Sequence, residues 1–213
     1  MAQASAIATD VSGAIAVIRF NRPAARNPFS ISILNELTTV VSSLTAREDL
    51  TTLIFTGTED VFASGADIRE LVHLDTARAF EFAKLGQKLF QTIADAQQVT
   101  IAAINGYCMG GALDLALACD IRIASPQAVL RHPGARLGII TGWGGTQRLP
   151  RLIGRARALD FFLTARLIRS DEALGSGLVS SICEDVLESA FAVGRENQKV
   201  RPAADGQVLR PRI

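Results

Sequence analysis

The stretch Asn105–Asp120, NGYCMGGALDLALACD, decides how this chain is read. Just before it, Val99-Thr100-Ile101-Ala102-Ala103-Ile104 is an apolar run that predicts a buried strand. Glycines at 106, 110 and 111 make a turn, and the sequence then predicts a short apolar helix ending near Cys119. The first turn of that helix carries one carboxylate, Asp114. Glycine lets the backbone approach a ligand closely, and a helix start presents unpaired N–H groups. Those donors can hold a developing negative charge, while a carboxylate one turn on can move a proton. The pattern points to chemistry on a carbonyl compound. The glycine spacing is not G-x-G-x-x-G and no G-K-[ST] follows, which disfavours a phosphate loop. A purely structural turn leaves Asp114 unexplained, because a carboxylate in an apolar helix is costly unless partnered or used. A salt-bridged or helix-terminal charge stays open as the plainer account of Asp114.

A second motif lies upstream, Phe62-Ala63-Ser64-Gly65-Ala66-Asp67-Ile68. A small-residue loop after a buried strand again leads to a helix start, here at Ala66-Asp67. One reading is a plain N-cap with Asp67 in the first turn. The other is a second backbone N–H, from Ala66, aimed at a bound carbonyl.

Around these motifs the chain alternates strands and helices. Ala14–Phe20, Leu53–Phe55, Ile121–Ile123 and Leu178–Ile182 read as strands. A helix from Ser30 places Ile33, Leu34, Leu37, Val40, Val41 and Leu44 on one face. A longer helix over Thr76–Ala96 is expected to bury Phe80, Ala83, Leu89, Phe90 and Ile93. Thr58–Gly65 reads as loop. A second glycine-rich turn, Gly142–Gly145, precedes a helix containing Gln147–Leu152. Further helices are expected near Arg155–Ala165, Asp171–Gly175 and Asp185–Asn197, with an irregular tail from Val200. The alternation argues α/β with largely parallel pairing, and no internal sequence repeat is evident.

With 213 residues, 48% hydrophobic and 20% charged, the chain suits one substantial core. Twenty-two basic residues against 21 acids leave a net charge of +1, no electrostatic reason to expect nucleic acid or an anionic membrane. Arg148, Arg151, Arg155, Arg157, Arg166 and Arg169 cluster late, most simply as a solvated face. Cys108, Cys119 and Cys183 lack C-x-x-C spacing and read as reduced thiols, with no metal site. MAQASAIATDVSG has neither a secretory nor a typical transit pattern, and no apolar stretch is long enough to span a membrane. A cytoplasmic location is expected.

Several separated strings in order, NRPAARN, FASGADIRE, NGYCMGGALDLALACDIRIAS, LGIITGWGGTQRLPRLIG and EALGSGLVSSI, resemble the enoyl-CoA hydratase/isomerase, or crotonase, family. The resemblance runs from about Ala14 to about Ile182. It implies an α/β fold, a crotonase-like ββα spiral over residues 1–165, with a short C-terminal helical segment and tail over 166–213. It implies an acyl-CoA thioester as substrate, coenzyme A entering only as part of it and no separate cofactor. It also implies a homotrimer or a hexamer of two trimers. By position, the N–H groups of Ala66 and Gly111 would hold the thioester oxygen as it becomes an enolate. Losing one such donor costs about 3 kcal/mol in well-studied enzymes. Gly110 and the segments Ala24-Ala25-Arg26 and Ala63–Ile68, with Gly65, Asp67 and Ile68, would border the substrate and its CoA portion.

The chain also departs from the family pattern. A typical family hydratase has a glutamate at the position of Asp114 and another after the proline at Pro133, where this chain has Gly134. Water addition needs one group to activate water and one to protonate carbon, so simple hydration is expected to be weak. Dienoyl isomerases of the family keep an aspartate at 114 but also use the missing acid, and their further aspartate falls at Gly142. His132, two residues before the gap, is a residue type suited to proton transfer and is the obvious substitute, with a hydrogen-bonded structural histidine as the plainer account; Arg136 and Thr141 are weaker candidates for substrate contact. Members usually continue for several dozen residues past Ile213, which implies a reduced lid or cover from another subunit. The leading reading is an acyl-CoA enzyme with Asp114 as acid/base. An acyl-CoA-binding protein without turnover is the alternative; RNA binding is disfavoured by the near-neutral charge.

Overall fold

Apolar strands that alternate with helices, once folded, pair side by side in the order in which the sequence supplies them. The computed structural model describes residues 5–200. Its first elements are β1 (Ile7–Ser12), β2 (Ile15–Phe20), β3 (Pro28–Phe29) and α1 (Ile31–Thr45). Next come β4 (Thr52–Thr56), β5 (Val61–Ala63), β6 (Gly65–Ala66), α2 (Ile68–Leu71) and α3 (Thr76–Ala94). The central run is β7 (Val99–Ile104), β8 (Tyr107–Met109), α4 (Gly111–Ala118), β9 (Ile121–Ala124) and β10 (Val129–Arg131). The last elements are α5 (Gly145–Ile153), α6 (Arg155–Thr164), β11 (Ile168–Arg169), α7 (Ser170–Gly175), β12 (Ser181–Ile182) and α8 (Val186–Val200). Two 3-10 turns, Pro23–Ala25 and Gly134–Leu137, interrupt the loops.

The strands fall into a six-stranded sheet, β1-β2-β4-β7-β9-β12, and a four-stranded sheet, β11-β10-β8-β5. The hairpin β1–β2 is antiparallel; β2 through β12 pair in parallel. Each central turn of the chain lays one strand in the large sheet, one in the small sheet and then a helix: β4, β5 and α3, then β7, β8 and α4. This strand, strand, helix spiral matches the expected fold class. The third sheet is the short parallel pair β3–β6.

Both faces of the large sheet are covered, so its strands read as continuous apolar runs. Ile15, Val17, Ile54, Ile101 and Ala103 pack on one face with Val186 and Ala190 of α8. Ala16, Ile18, Leu53, Phe55 and Ala102 face the main core. Helix α4 runs through that core and buries every residue from Ala112 to Ala118, as a helix apolar on all sides must. Arg122 closes its C-terminal end. The buried guanidinium donates to the carbonyls of Cys119 at 2.7 Å and Ala116 at 3.3 Å, and to Leu178 O at 2.8 Å. Burial pushes the Arg122 pKa down, so these bonds hold it in place against desolvation.

Several expectations are corrected. The Thr58–Gly65 loop contains β5 and leads straight into β6, and α2 is a single turn starting at Ile68 rather than at Ala66. Phe80 is exposed at 57%, and Ala83 only half-buried. The buried face of α3 is Phe82, Gly86, Leu89, Phe90 and Ile93. The strand expected over Leu178–Ile182 is confined to Ser181–Ile182. Strands β1, β8 and β10 add to the elements expected. The tail expected beyond Val200 lies outside the described residues. Cys108, Cys119 and Cys183 are free thiols, the first two buried, and burial raises the Cys108 pKa. Arg151, Arg155, Arg157 and Arg169 are exposed; Arg166 bridges Asp160 and Glu172 instead of standing free.

Candidate active site

Two strand-to-helix turns meet at one point. Strand β6 pairs with β3, and the Asp67 N–H donates to Phe29 O at 3.1 Å. Alternate amides of a strand point to opposite sides, so the Ala66 N–H is directed away from β3. On the other side of β6 lies α4. Gly65 has φ +84°, and a Cβ there would stand 2.5 Å from the Gly111 nitrogen and 2.5 Å from Met109 O. Only glycine fits that approach, and it brings residues 65 and 66 against the first amide of α4. Gly110 precedes the helix with φ +54°; its N–H donates to Arg131 O at 2.8 Å, while its carbonyl accepts from Leu113 N and Asp114 N.

Asp114 is 1% exposed, and both of its oxygens are engaged. Oδ1 lies 2.9 Å from His132 Nε2, and the Thr141 hydroxyl donates to Oδ2. The imidazole is itself buried, edge-on to Phe162 at 5.3 Å and Phe161 at 6.3 Å. A carboxylate taken this deep needs hydrogen bonds on its lone pairs, and here a histidine and a hydroxyl supply them. Gly145 leaves the room: a Cβ on it would fall 2.1 Å from Oδ1. Arg148 is half-buried nearby; desolvation lowers its pKa, and the charge of Asp114 opposes that shift.

No acid stands opposite Asp114 at position 134, and the local backbone explains the glycine. A Cβ on Gly134 would lie 2.6 Å from Ile139 O, and the Ile139 N–H donates to Gly134 O at 3.0 Å. A glutamate there requires the Ile139 carbonyl to shift. Arg136 points from this turn as an exposed residue, as do Leu137, Ile139 and Ile140.

The expected rim residues also come together. Ala24 and Ala25 are exposed on the first 3-10 turn, and Arg26 follows with φ +63°, its guanidinium 5.2 Å above the Tyr107 ring. The Ser64 N–H donates to Arg26 O at 3.0 Å, which ties this segment to Ala63–Ile68. Asn27 reinforces the tie, its Nδ2 donating to Val61 O and Phe62 O at 3.2 and 3.1 Å. Ala63 is buried in β5, and Ile68 is 55% exposed. Asp67 is the N-cap of α2; its carboxylate accepts from Arg69 N and pairs with the Arg69 guanidinium at 2.7 Å. The Arg69 bond holds its pKa below the usual carboxylate value.

The sequence from residue 10 to 206 matches the model of the family described as Enoyl-CoA hydratase/isomerase. This chain belongs to the enoyl-CoA hydratase/isomerase family. It is 40% identical to the short-chain-enoyl-CoA hydratase of Clostridium acetobutylicum over 173 residues, 81% of this chain and 66% of that protein. It is 41% identical to the crotonyl-CoA hydratase of Syntrophomonas wolfei over 171 residues, 80% and 66% of the two chains. The chain thus spans about two thirds of the length of these curated relatives. Among solved structures, Pseudomonas aeruginosa DspI superposes with a TM-score of 0.90 at 33% identity, covering 97% of this chain and 85% of that one. Enoyl-CoA hydratase from Bacillus anthracis superposes at 0.87 and 32% identity, covering 91% and 77%. The spiral is therefore the crotonase-like α/β fold of the enoyl-CoA hydratase/isomerase family.

Thr141, expected as a weaker candidate for substrate contact, bonds Asp114. Trp143, the large aromatic inside Gly142-Trp143-Gly144-Gly145, is buried beside the site. Among the described residues no three His, Cys, Asp or Glu side chains cluster as a metal would need, and no helix is long and apolar enough to cross a membrane.

Proposed function

We propose that this chain is an acyl-CoA enzyme working through a thioester enolate. The carbonyl oxygen sits between the Ala66 and Gly111 amides, and Asp114 removes a proton from the adjacent carbon. The electron pair of the broken C–H bond moves onto oxygen, where the two N–H groups hold it. Asp114 then returns the proton to carbon. Coenzyme A enters with the substrate, bordered by Ala24-Ala25-Arg26 and by Ala63, Gly65, Asp67 and Ile68, with Gly110 beneath the carbonyl. His132 and Thr141 aim the carboxylate. The observation that carries this reading is the contact of the Gly65 turn with the Gly111 amide, one helical turn from a buried carboxylate. Family membership and relatives named as hydratases of short enoyl-CoA thioesters support the substrate class.

With Gly134 in place of a second acid, one group handles both proton movements. Proton exchange or a double-bond shift fits that chemistry better than water addition, and slow hydration of crotonyl-CoA is expected. The direct test follows deuterium uptake at the α-carbon of butyryl-CoA in D2O by mass spectrometry. Exchange should fall by about 10²–10⁴ in Asp114→Asn; exchange unchanged by that substitution overturns the assignment. Because both Asp114 oxygens already have internal partners, a second reading is acyl-CoA binding without turnover. Calorimetric binding with no exchange and no hydration would select it. A homotrimer or hexamer and a cytoplasmic location complete the proposal, to be checked by light scattering and cell fractionation.

A further inference from the structure

Trp143 is 4% exposed and is wedged between α3 and α4. A Cβ on Gly86 of α3 would lie 2.3 Å from its Nε1, and a Cβ on Gly111 of α4 would lie 2.2 Å from its Cζ3. The indole thus touches both helix backbones where neither helix carries a side chain. Phe82 and Phe90 hold it from the α3 side, with ring centroids at 5.1 and 5.5 Å, and its N–H donates to Phe82 O at 3.3 Å. The same short loop fixes the acid: Thr141 bonds Asp114, and Gln87 of α3 donates to Gly142 O at 2.7 Å. One loop therefore orients the carboxylate and fills the space beside the residue that bears the Gly111 amide.

We propose that the Trp143 indole is the end wall of the acyl site and restricts this chain to short acyl groups. The inference rests on the acyl-CoA reading above. A thioester held at the Gly111 amide places its first carbons over Asp114, and an inward-running chain then meets the gap between α3 and α4. That gap is closed by the indole. Removing the ring leaves an apolar space walled by Phe82, Phe90 and Gly86. Each methylene buried there is worth about fourfold in affinity, the equivalent of ~0.8 kcal/mol per CH₂.

The test is calorimetric binding of acetyl-, butyryl-, octanoyl- and dodecanoyl-CoA to the full chain and to Trp143→Ala and Trp143→Phe. The parent should bind butyryl-CoA best and lose affinity at eight carbons. In Trp143→Ala, affinity should rise by about fourfold per added methylene up to roughly eight carbons, with Trp143→Phe between the two. A parent that binds octanoyl-CoA as tightly as butyryl-CoA overturns the proposal without any variant, so a Trp143→Ala that does not fold leaves it exposed to refutation. An identical length profile in parent and variants also overturns it, and means that the acyl chain runs outward past Leu137, Ile139 and Ile140. Failure of the folded parent to bind any CoA ester sinks the underlying acyl-CoA reading as well.

Discussion

The turn at Gly65–Asp67 and the turn at Gly110–Asp114 are built alike, each a short strand, a glycine with positive φ and a helix start. Their surroundings differ. Helix α2 is four residues long and buries none of them, with Ile68 and Val72 exposed at 55% and 76%. Helix α4 buries Ala112 through Asp114 and on to Ala118, and Arg122 anchors its far end. One amide is thus fixed by the core, while the other hangs on a two-residue strand pair and the Gly65 contact. In the proposed mechanism, the geometry of the site depends on a rigid half that carries Asp114 and a marginal half that supplies the second amide. Marginal segments are where local opening is cheapest.

This contrast can be broken by measuring it. Leu115→Ala, inside α4, should lower stability by about 2–5 kcal/mol in urea unfolding, whereas Ile68→Ala on α2 should stay within about 0.5 kcal/mol. Similar losses for the two would erase the distinction between a rigid and a marginal half. Gly111→Ala drives a methyl group into the Trp143 ring, and overpacking of that kind costs about 1–3 kcal/mol. Thermal melts that show no loss would mean the indole can move aside, and the rigid half would then be softer than its burial implies.

Smaller effects sharpen the marginal half. Asp67→Ala removes an N-cap and should cost about 1 kcal/mol. The folded pKa of Asp67 is depressed, chiefly by its hydrogen bond from Arg69. Its stabilisation is therefore complete above the ordinary value of 3.8 and is lost as pH falls below it. The gap between parent and Asp67→Ala should close on acidification below that point. A gap that stays constant to pH 2.5 would show that the pairing with Arg69, which is 76% exposed, adds nothing to the cap.

How much of this was legible in the sequence follows from the same physics. Helix α4 was readable because seven consecutive buried positions leave no room for polar residues, and Asp114 stood out against them. That residues 65–66 and the start of α4 belong to one site is implied by the family resemblance; the small residues at the two turns alone leave a plain N-cap open. Strands β5, β6, β8 and β10 are two or three residues long, too short to carry an alternation signal. β1 turns Thr9 to Ser12 outward at the sheet edge, so its pattern reads as polar chain. Phe80 and Phe82 are two positions apart, which places them on opposite sides of α3. The choice of Phe82 depends on Trp143 settling over Gly86, a contact between residues 57 apart in sequence that no local pattern encodes. The bond from Thr141 to Asp114 is hidden from local pattern for the same reason, since the two lie 27 residues apart.

The Gly134 turn has a further consequence. The carbonyl of Ile139 already fills the spot through which any longer side chain at 134 must pass. A lone Gly134→Glu exchange does not simply add a second carboxylate; the main chain at Ile139 has to move with it. In the proposed mechanism the lack of a second acid is thus written into a bend of main chain, and not merely into the identity of one side chain.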